Sequence, residues 1–210
     1  MSVSKTSISE KASARSVLTT KNIAKIAILS AIATVLMLFE FPLPFAPSFY
    51  KFDFSEIAVL LGAFAMGPVA GALIEAVKIV LNLLFNGTIT MGVGELANFL
   101  IGSALCIPAA IIYKRHKTKK NAIIGMAVGT ACMAVAGAVL NYFVLIPAYV
   151  TLANFPLDAI LQMGAAVNPA INSLGTLIIF SVVPFNLFKG AVISVITGVL
   201  YKHVSPLLHR

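Results

Sequence analysis

The sequence AIIGMAVGTACMAVAGAVL, residues 122–140, decides the class of fold to which this chain belongs. It carries no charged side chain, and its 19 residues come close to the ~20 that an α-helix needs to cross the hydrocarbon core of a bilayer. A membrane-spanning β-strand instead alternates apolar and polar residues over about ten positions. This stretch does not alternate, so the sequence predicts an all-α membrane protein.

The composition of the whole chain leads to the same class. Of the 210 residues, 60% are hydrophobic and only 10% are charged, whereas soluble domains carry about 25% charged residues. The 15 basic and 7 acidic side chains are too few to cover a water-facing surface of this size. The composition therefore excludes soluble enzymes, nucleic-acid-binding proteins and disordered regulators, despite a net charge of +8.

Six apolar segments are predicted to cross the membrane as one polytopic domain, residues 22–205. A basic N-terminal tail, residues 1–21, precedes this domain, and a short C-terminal tail, residues 206–210, follows it. The second segment is short, and short segments often border a cavity. The predicted spans are 22–39, 54–66, 69–85, 93–113, 122–145 and 184–203.

The basic residues predict the orientation of the domain. Short cytoplasmic loops of membrane proteins are enriched in Lys and Arg. With six spans, twelve of the 15 basic residues fall on one side, in the N-terminal tail and the start of the first span, in the loop Lys114–Lys120 and near the C-terminus. Both termini are therefore predicted to be cytoplasmic, and the net charge indicates topology rather than a nucleic-acid partner.

Polar side chains in three predicted spans lie near the outer face of the membrane. Glu95 and Asn98 begin span four, Asn141 comes late in span five, and Asn186 and Lys189 lie in the first turns of span six. An ionised group in hydrocarbon is costly unless it is paired or faces a wet cavity. These residues form either a Glu95–Lys189 ion pair that only ties two helices together, or a pocket for a neutral, flat molecule with polar edges.

Other charged and small residues support further expectations. Glu75 and Lys78, three positions apart in span three, are predicted to form an ion pair rather than to contact a substrate. Small residues four positions apart allow close helix contact, and the pairs with this spacing are Ala27–Ala31, Gly67–Gly71 and Gly125–Gly129. For the glycine pairs, packing inside the bundle is favoured over docking of another subunit. The charged residues that flank the outer loop, residues 41–54, are expected to form a rim or a lid; they are Glu40, Lys51, Asp53 and Glu56.

No motif for chemistry is found in the sequence. It has no phosphate-binding G-x-x-x-x-G-K-[ST] loop, no G-x-S-x-G elbow and no H-E-x-x-H pair. We therefore expect no catalytic residues, no metal site and no ATP hydrolysis by this chain itself.

Several stretches together resemble one family. They are GVGELANF at 92–99, LNY at 140–142, PFNLFKG at 184–190, FPLPF at 41–45 and KFDFS at 51–55. Taken together, over roughly residues 22–205, the sequence resembles the riboflavin-specific substrate-binding (S) components of energy-coupling factor (ECF) transporters.

This resemblance implies a bundle of six helices in the cell membrane of a prokaryote that captures riboflavin from outside the cell. Riboflavin is then the transported ligand, no cofactor is implied, and ATP is hydrolysed by two cytosolic ATPases that join the S component through a transmembrane coupling protein. The alternatives are an S component for another vitamin, a structural membrane protein with a Glu95–Lys189 pair, and an intramembrane enzyme.

The resemblance also assigns residues to roles. Ala27 and Ala31 match the face that docks on the coupling protein, and the segments 41–53 and 147–172 are expected to cover the pocket. The residues expected to contact riboflavin are Glu95, Asn98, Asn141, Asn186, Lys189, Phe45, Lys51 and Asp53.

Overall fold

The computed structural model describes residues 19–88 and 91–208, with side chains described as far as Lys202. Residues 1–18 of the predicted N-terminal tail, residues 89–90 and the last two residues of the predicted C-terminal tail therefore lie outside the described residues. The described part is almost entirely helical, as the sequence predicts. Its first four helices are α1, Thr20–Leu38; α2, Ser55–Met66; α3, Pro68–Asn86; and α4, Val93–Arg115.

The last three helices include two segments of wider, π-helical geometry. Helix α5 comprises Lys119–Leu140, the π turn Asn141–Leu145 and Ile146–Thr151, and helix α6 is Leu157–Val167. Helix α7 comprises Leu174–Leu177, the π turn Ile178–Val182 and Val183–Leu208, so it continues into the predicted C-terminal tail.

A small β-hairpin joins α1 to α2. Its strands are β1, Phe41–Pro42, and β2, Lys51–Phe52, and they are antiparallel, with Phe41 opposite Phe52. Residues 39–54 are called the hairpin loop below, and the end of the bundle that carries them is called the hairpin end.

Five helices of the described chain are long and apolar enough to cross a membrane, namely α1, α3, α4, α5 and α7. Their outward-facing side chains include Ile28, Leu84 and Val195, which are large, apolar and exposed, as lipid contact requires. Helix α2 has 12 residues, or about 18 Å at 1.5 Å per residue, against a hydrocarbon core of ~30 Å. The membrane class is confirmed, whereas a sixth span at α2 remains a prediction.

The prediction that the last span begins at Pro184 is wrong, because α7 is already helical from Leu174 and passes through this proline. Proline has no N–H and its ring clashes with the carbonyl four residues earlier, which normally ends a helix. A π turn ends just before Val183-Pro184, and another ends just before Ile146-Pro147 in α5. The wider turns accommodate both prolines. The predicted loop 147–172 therefore contains the end of α5 and all of α6.

Glycines bring the backbones of neighbouring helices into direct contact. A Cβ at Gly125 of α5 would lie 2.7 Å from the carbonyl oxygen of Ala109 in α4, and a Cβ at Gly71 would lie 2.6 Å from Ala63 Cβ. Gly67, with a φ of +102°, lets α2 turn directly into α3. Gly71, Gly125 and Gly129 are thus packing sites inside the bundle, as favoured by the sequence, whereas Gly67 serves as the turn residue. Ala27 and Ala31, in contrast, are exposed on α1.

Two hydrophobic clusters form within the part of the chain that the structure describes. The main core lies among α1–α5 and α7, while a smaller cluster of Ile146, Ile160, Ile171 and Leu177 lies at the hairpin end. Phe49 of the hairpin loop packs against this smaller cluster. The segment 146–177 therefore forms an apolar cap beside the hairpin loop.

Candidate functional site

A cavity of about 590 Å³ lies at the hairpin end, between the hairpin loop, the cap and the helices. Seven of the eight predicted contact residues line it: Glu95, Asn98, Asn141, Asn186, Lys189, Lys51 and Asp53. Phe45 does not line the cavity; its ring packs edge-on against Phe188, with the ring centroids 5.1 Å apart. The structure thus brings together polar residues from three helices and one loop.

Lys189 is paired with Asp53, and both side chains are buried. The Lys189 Nζ donates to Asp53 Oδ2 at 2.7 Å, and the residues are only 6% and 3% exposed. The backbone N–H of Ser55 donates to the other oxygen, Asp53 Oδ1, at 2.8 Å. The predicted alternative of a Glu95–Lys189 ion pair is therefore wrong. The prediction considered only acids on helices, whereas the acid that pairs with Lys189 is Asp53 of the hairpin loop.

Asp53 stays ionised at physiological pH. Burial alone would raise the pKa of this carboxyl group, but the nearby ammonium groups of Lys189 and Lys78 lower the pKa from 3.8 to about 2. The pair places the Lys189 ammonium group at the cavity, with two of its three N–H donors not used by Asp53.

Lys189 and Asn186 lie deeper along their helix than predicted. Because α7 begins at Leu174, they follow about three to four helical turns rather than opening the span. The Asn186 Nδ2 donates to the Val182 carbonyl at 2.9 Å, and within the described part of the chain no donor bonds its Oδ1. Asn186 thus offers one acceptor and one remaining N–H donor.

Asn141 is the first residue of the π turn in α5, and its amide is held at both ends. Its Nδ2 donates to the Gly137 carbonyl at 2.8 Å, and its Oδ1 accepts a hydrogen bond from the Tyr50 hydroxyl at 2.9 Å. One N–H donor remains. Gly137 also makes room for Asn186, since a Cβ at Gly137 would lie 2.6 Å from Asn186 Nδ2.

Glu95 is the carboxylate of the cavity that has no cation beside it within residues 19–88 and 91–202. The Thr88 hydroxyl donates to Glu95 Oε2 at 3.0 Å, and the Gly92 N–H donates to Thr88 Oγ1 at 2.9 Å. Gly92, with a φ of +89°, allows this turn at the start of α4. The other acid of the rim, Glu40, is paired with Lys51. Three acids and two bases line the cavity, so the charges of its lining residues sum to −1.

A second buried charge cluster lies outside the cavity. The Lys78 Nζ is 2.7 Å from Glu56 Oε1 and 2.7 Å from Glu75 Oε1, and all three side chains are fully or almost fully buried. The predicted Glu75–Lys78 pair is confirmed. The expectation that Glu56 forms part of a rim is wrong, because Glu56 lies in the first turn of α2 and points into the bundle. Gly102 of α4 leaves the space that Glu75 fills.

Several cavity residues are not identified by sequence reasoning. Neither Tyr50 nor Asn82 is among the residues that the sequence predicts to contact a ligand. Asn82 and Asn86 occur four positions apart at the end of α3, where Asn86 Nδ2 donates to Asn82 Oδ1 at 2.9 Å. Two asparagines four positions apart, next to the loop that leads to Glu95, are the sequence signal that could have identified them as cavity residues. Apolar residues complete the wall: Met37, Ile101, Met133 and Phe185.

The chemistry of this cavity is that of a binding site. In the described segments, no group of three or more His, Cys, Asp or Glu is placed to hold a metal ion. Its polar groups include both donors and acceptors beside apolar side chains, as in pockets that bind small molecules.

The chain matches the family of ECF transporter substrate-specific components over residues 21–201. The chain belongs to the S components of ECF transporters. The resemblance inferred from the sequence is therefore confirmed at the level of the family, and this S component is a membrane protein that carries substrate.

Named relatives and a solved structure agree. This S component is 38% identical over 192 residues to the riboflavin transporter RibU of Staphylococcus aureus, covering 90% of this chain and 93% of the relative. It is 31% identical to the riboflavin transporter FmnP of Bacillus subtilis, covering 90% and 95%. A solved S component of a bacterial ECF transporter is 36% identical, with a TM-score of 0.69, and the match covers 90% of this chain and 97% of that chain.

Proposed function

We propose that this S component binds riboflavin in the cavity at the hairpin end, as the substrate-binding subunit of an ATP-dependent vitamin importer. The observation that carries the proposal is the set of hydrogen-bonding groups left free by Asn141, Asn186 and Lys189. Relatives named as riboflavin transporters, at 31% and 38% identity, support the choice of ligand.

The free groups match the pyrimidine edge of a flavin. That edge has an N–H donor between two carbonyl acceptors. The ammonium group of Lys189 and the remaining N–H of Asn141 donate to the carbonyls, and Asn186 Oδ1 accepts from the N–H. The apolar wall takes the dimethylbenzene end of the ring. Such a site rejects analogues that lack a polar partner, because its own buried groups would then be left unpaired.

Glu95 is placed to bind the ribityl chain, the sugar-alcohol part of riboflavin. The hydroxyl groups of the ribityl chain can donate to its carboxylate, and Asn98, three positions later on α4, lines the same cavity. Lys51 and Asp53 contact the ligand from the hairpin loop. The net charge of −1 on the cavity residues favours a neutral ligand over a phosphorylated one.

Transport requires partners that this chain does not contain. In this proposal the S component docks on a transmembrane coupling protein that carries two cytosolic ATPases, and both of its termini are cytoplasmic. The exposed alanines on α1, Ala27 and Ala31, form the docking face, since small side chains let another helix approach closely.

The test is the absorption spectrum of the protein purified in detergent, followed by calorimetry with riboflavin on ligand-free protein. We expect a bound flavin that absorbs in the visible. Asn186→Ala or Glu95→Ala should weaken binding by at least roughly tenfold, or ~1.4 kcal/mol. Asn121→Ala is the control, because Asn121 lies at the other end of α5 and does not line the cavity. A protein that binds another vitamin and not riboflavin would contradict the proposal.

A further inference from the structure

Tyr50 connects the hairpin loop to the binding site. Its hydroxyl donates to Asn141 Oδ1 at 2.9 Å, and its ring packs against Phe49 and Phe185, with ring centroids 4.4 Å and 5.6 Å away. Its backbone N–H donates to the Pro47 carbonyl at 2.9 Å, which closes a turn of the loop. The side chain is therefore fixed by its own loop and by α7, with its hydroxyl aimed at α5.

This contact decides what Asn141 offers to a ligand. An asparagine amide has one acceptor oxygen and two N–H donors. Tyr50 takes the oxygen, and the Gly137 carbonyl takes one N–H at 2.8 Å. The one donor left for the cavity is the second N–H. The reverse orientation of the amide would set its oxygen against the Gly137 carbonyl and would leave the cavity with an acceptor.

We infer that Tyr50 is a positioning residue, which holds Asn141 as a hydrogen-bond donor towards the ligand and makes that role depend on the position of the hairpin loop. The inference rests on the proposed function. When the loop covers the site, the Tyr50 hydroxyl satisfies the Asn141 oxygen and the donor set is complete. When the loop departs, the oxygen loses its donor, and only the bond to the Gly137 carbonyl still orients the amide.

The test uses Tyr50→Phe in the full chain, which removes the hydroxyl and keeps the ring. Leaving the buried Asn141 oxygen without a donor should weaken riboflavin binding roughly tenfold. The matched control is Tyr142→Phe, because Tyr142 neighbours Asn141 in sequence, does not line the cavity and packs on Phe143. We expect this variant to bind riboflavin as the unchanged protein does.

Two readouts separate positioning from a merely structural role. If Tyr50 acts through Asn141, adding Tyr50→Phe to Asn141→Ala should cost no further affinity, whereas independent effects would add. In infrared difference spectra, a carbonyl stretch of bound riboflavin should move to higher frequency in Tyr50→Phe but not in Tyr142→Phe, because a hydrogen bond to the carbonyl is lost.

The possible failures are distinguishable. If the unchanged protein binds riboflavin and Tyr50→Phe changes the affinity by less than twofold, or if the costs of the two substitutions add, the inference is overturned and the proposed function stands. If the unchanged protein does not bind riboflavin, the proposed function is overturned together with the inference.

Discussion

Replacing Lys189 by Met should destabilise the protein strongly, because it leaves the carboxylate of Asp53 buried without its counter-ion. The two charged atoms are 2.7 Å apart, which corresponds to an attraction of about 6 kcal/mol at an effective dielectric constant of 20. The Ser55 N–H still bonds Asp53 in the variant, so the loss is smaller than the full attraction. Breaking a buried pair typically costs about 3–5 kcal/mol, and we expect a loss in that range.

The assay is thermal unfolding of the ligand-free protein in detergent. For chains of this size 1 kcal/mol corresponds to roughly 2–4 °C, so Lys189→Met should lower the Tm by roughly 6–20 °C. Lys51→Met is the control, because Lys51 forms an exposed pair with Glu40. Exposed pairs contribute about 0–1 kcal/mol, so this variant should change the Tm by no more than roughly 4 °C.

The double variant Asp53→Asn with Lys189→Met gives the decisive comparison. It contains neither of the two charges, so it should regain most of the lost stability without regaining riboflavin binding. A stabilising role of the buried pair is refuted if Lys189→Met and Lys51→Met lower the Tm equally, or if the double variant is no more stable than Lys189→Met alone.

The same pair sets a pH dependence. The pKa of Asp53 is lowered in the folded protein from 3.8 to about 2. A lowered pKa means that the stabilisation is complete above about pH 5 and disappears as the pH falls through the folded-state value near 2. Measurements between pH 5 and 8 are therefore free of this effect.

Three further predictions concern the cavity and the docking face. Gly137→Ala should weaken riboflavin binding roughly tenfold, because the added Cβ would lie 2.6 Å from Asn186 Nδ2. The control Gly175→Ala, which has no atom within 4 Å of the added Cβ, should not weaken binding. Equal affinities of the two variants in calorimetry would contradict this prediction. Glu95→Gln removes the net negative charge of the cavity residues, so the ratio of the Kd for FMN to the Kd for riboflavin should fall at least roughly threefold, and an unchanged ratio would refute the role of charge. Ala31→Trp should abolish riboflavin uptake by cells but leave binding in detergent intact, and normal uptake would exclude α1 as the docking face.

The fold was largely predictable because its signals are local. The stretch 122–140 is apolar over a whole span, and the residues of α5 alone establish that they form a membrane helix. The start of α7 was not predictable in this way. Pro184 normally marks a helix boundary, and no residue type in Ile178–Val182 signals the π turn that lets α7 pass through it.

The site was predictable as a group of residues but not as a set of bonds. The spacing of Glu95 and Asn98, and of Asn186 and Lys189, put polar groups on the same helix faces at one end of the bundle. The partner of Lys189 could not be chosen among the acids, since Asp53 is 136 positions away and its place depends on how the hairpin loop folds.

The π turn in α5 also changes the phase of the helix. In a regular α-helix, two residues five positions apart point about 140° away from each other. Here the Ile146 N–H donates to the Asn141 carbonyl, so the two residues lie on nearly the same side of the helix. Ile146 is only 1% exposed and Asn141 only 3%. Tyr142 and Phe143 between them face outwards. A deletion of one residue from this turn would therefore rotate the whole cap by about 100°, so the length of the turn is as constrained as the identity of any residue in the site.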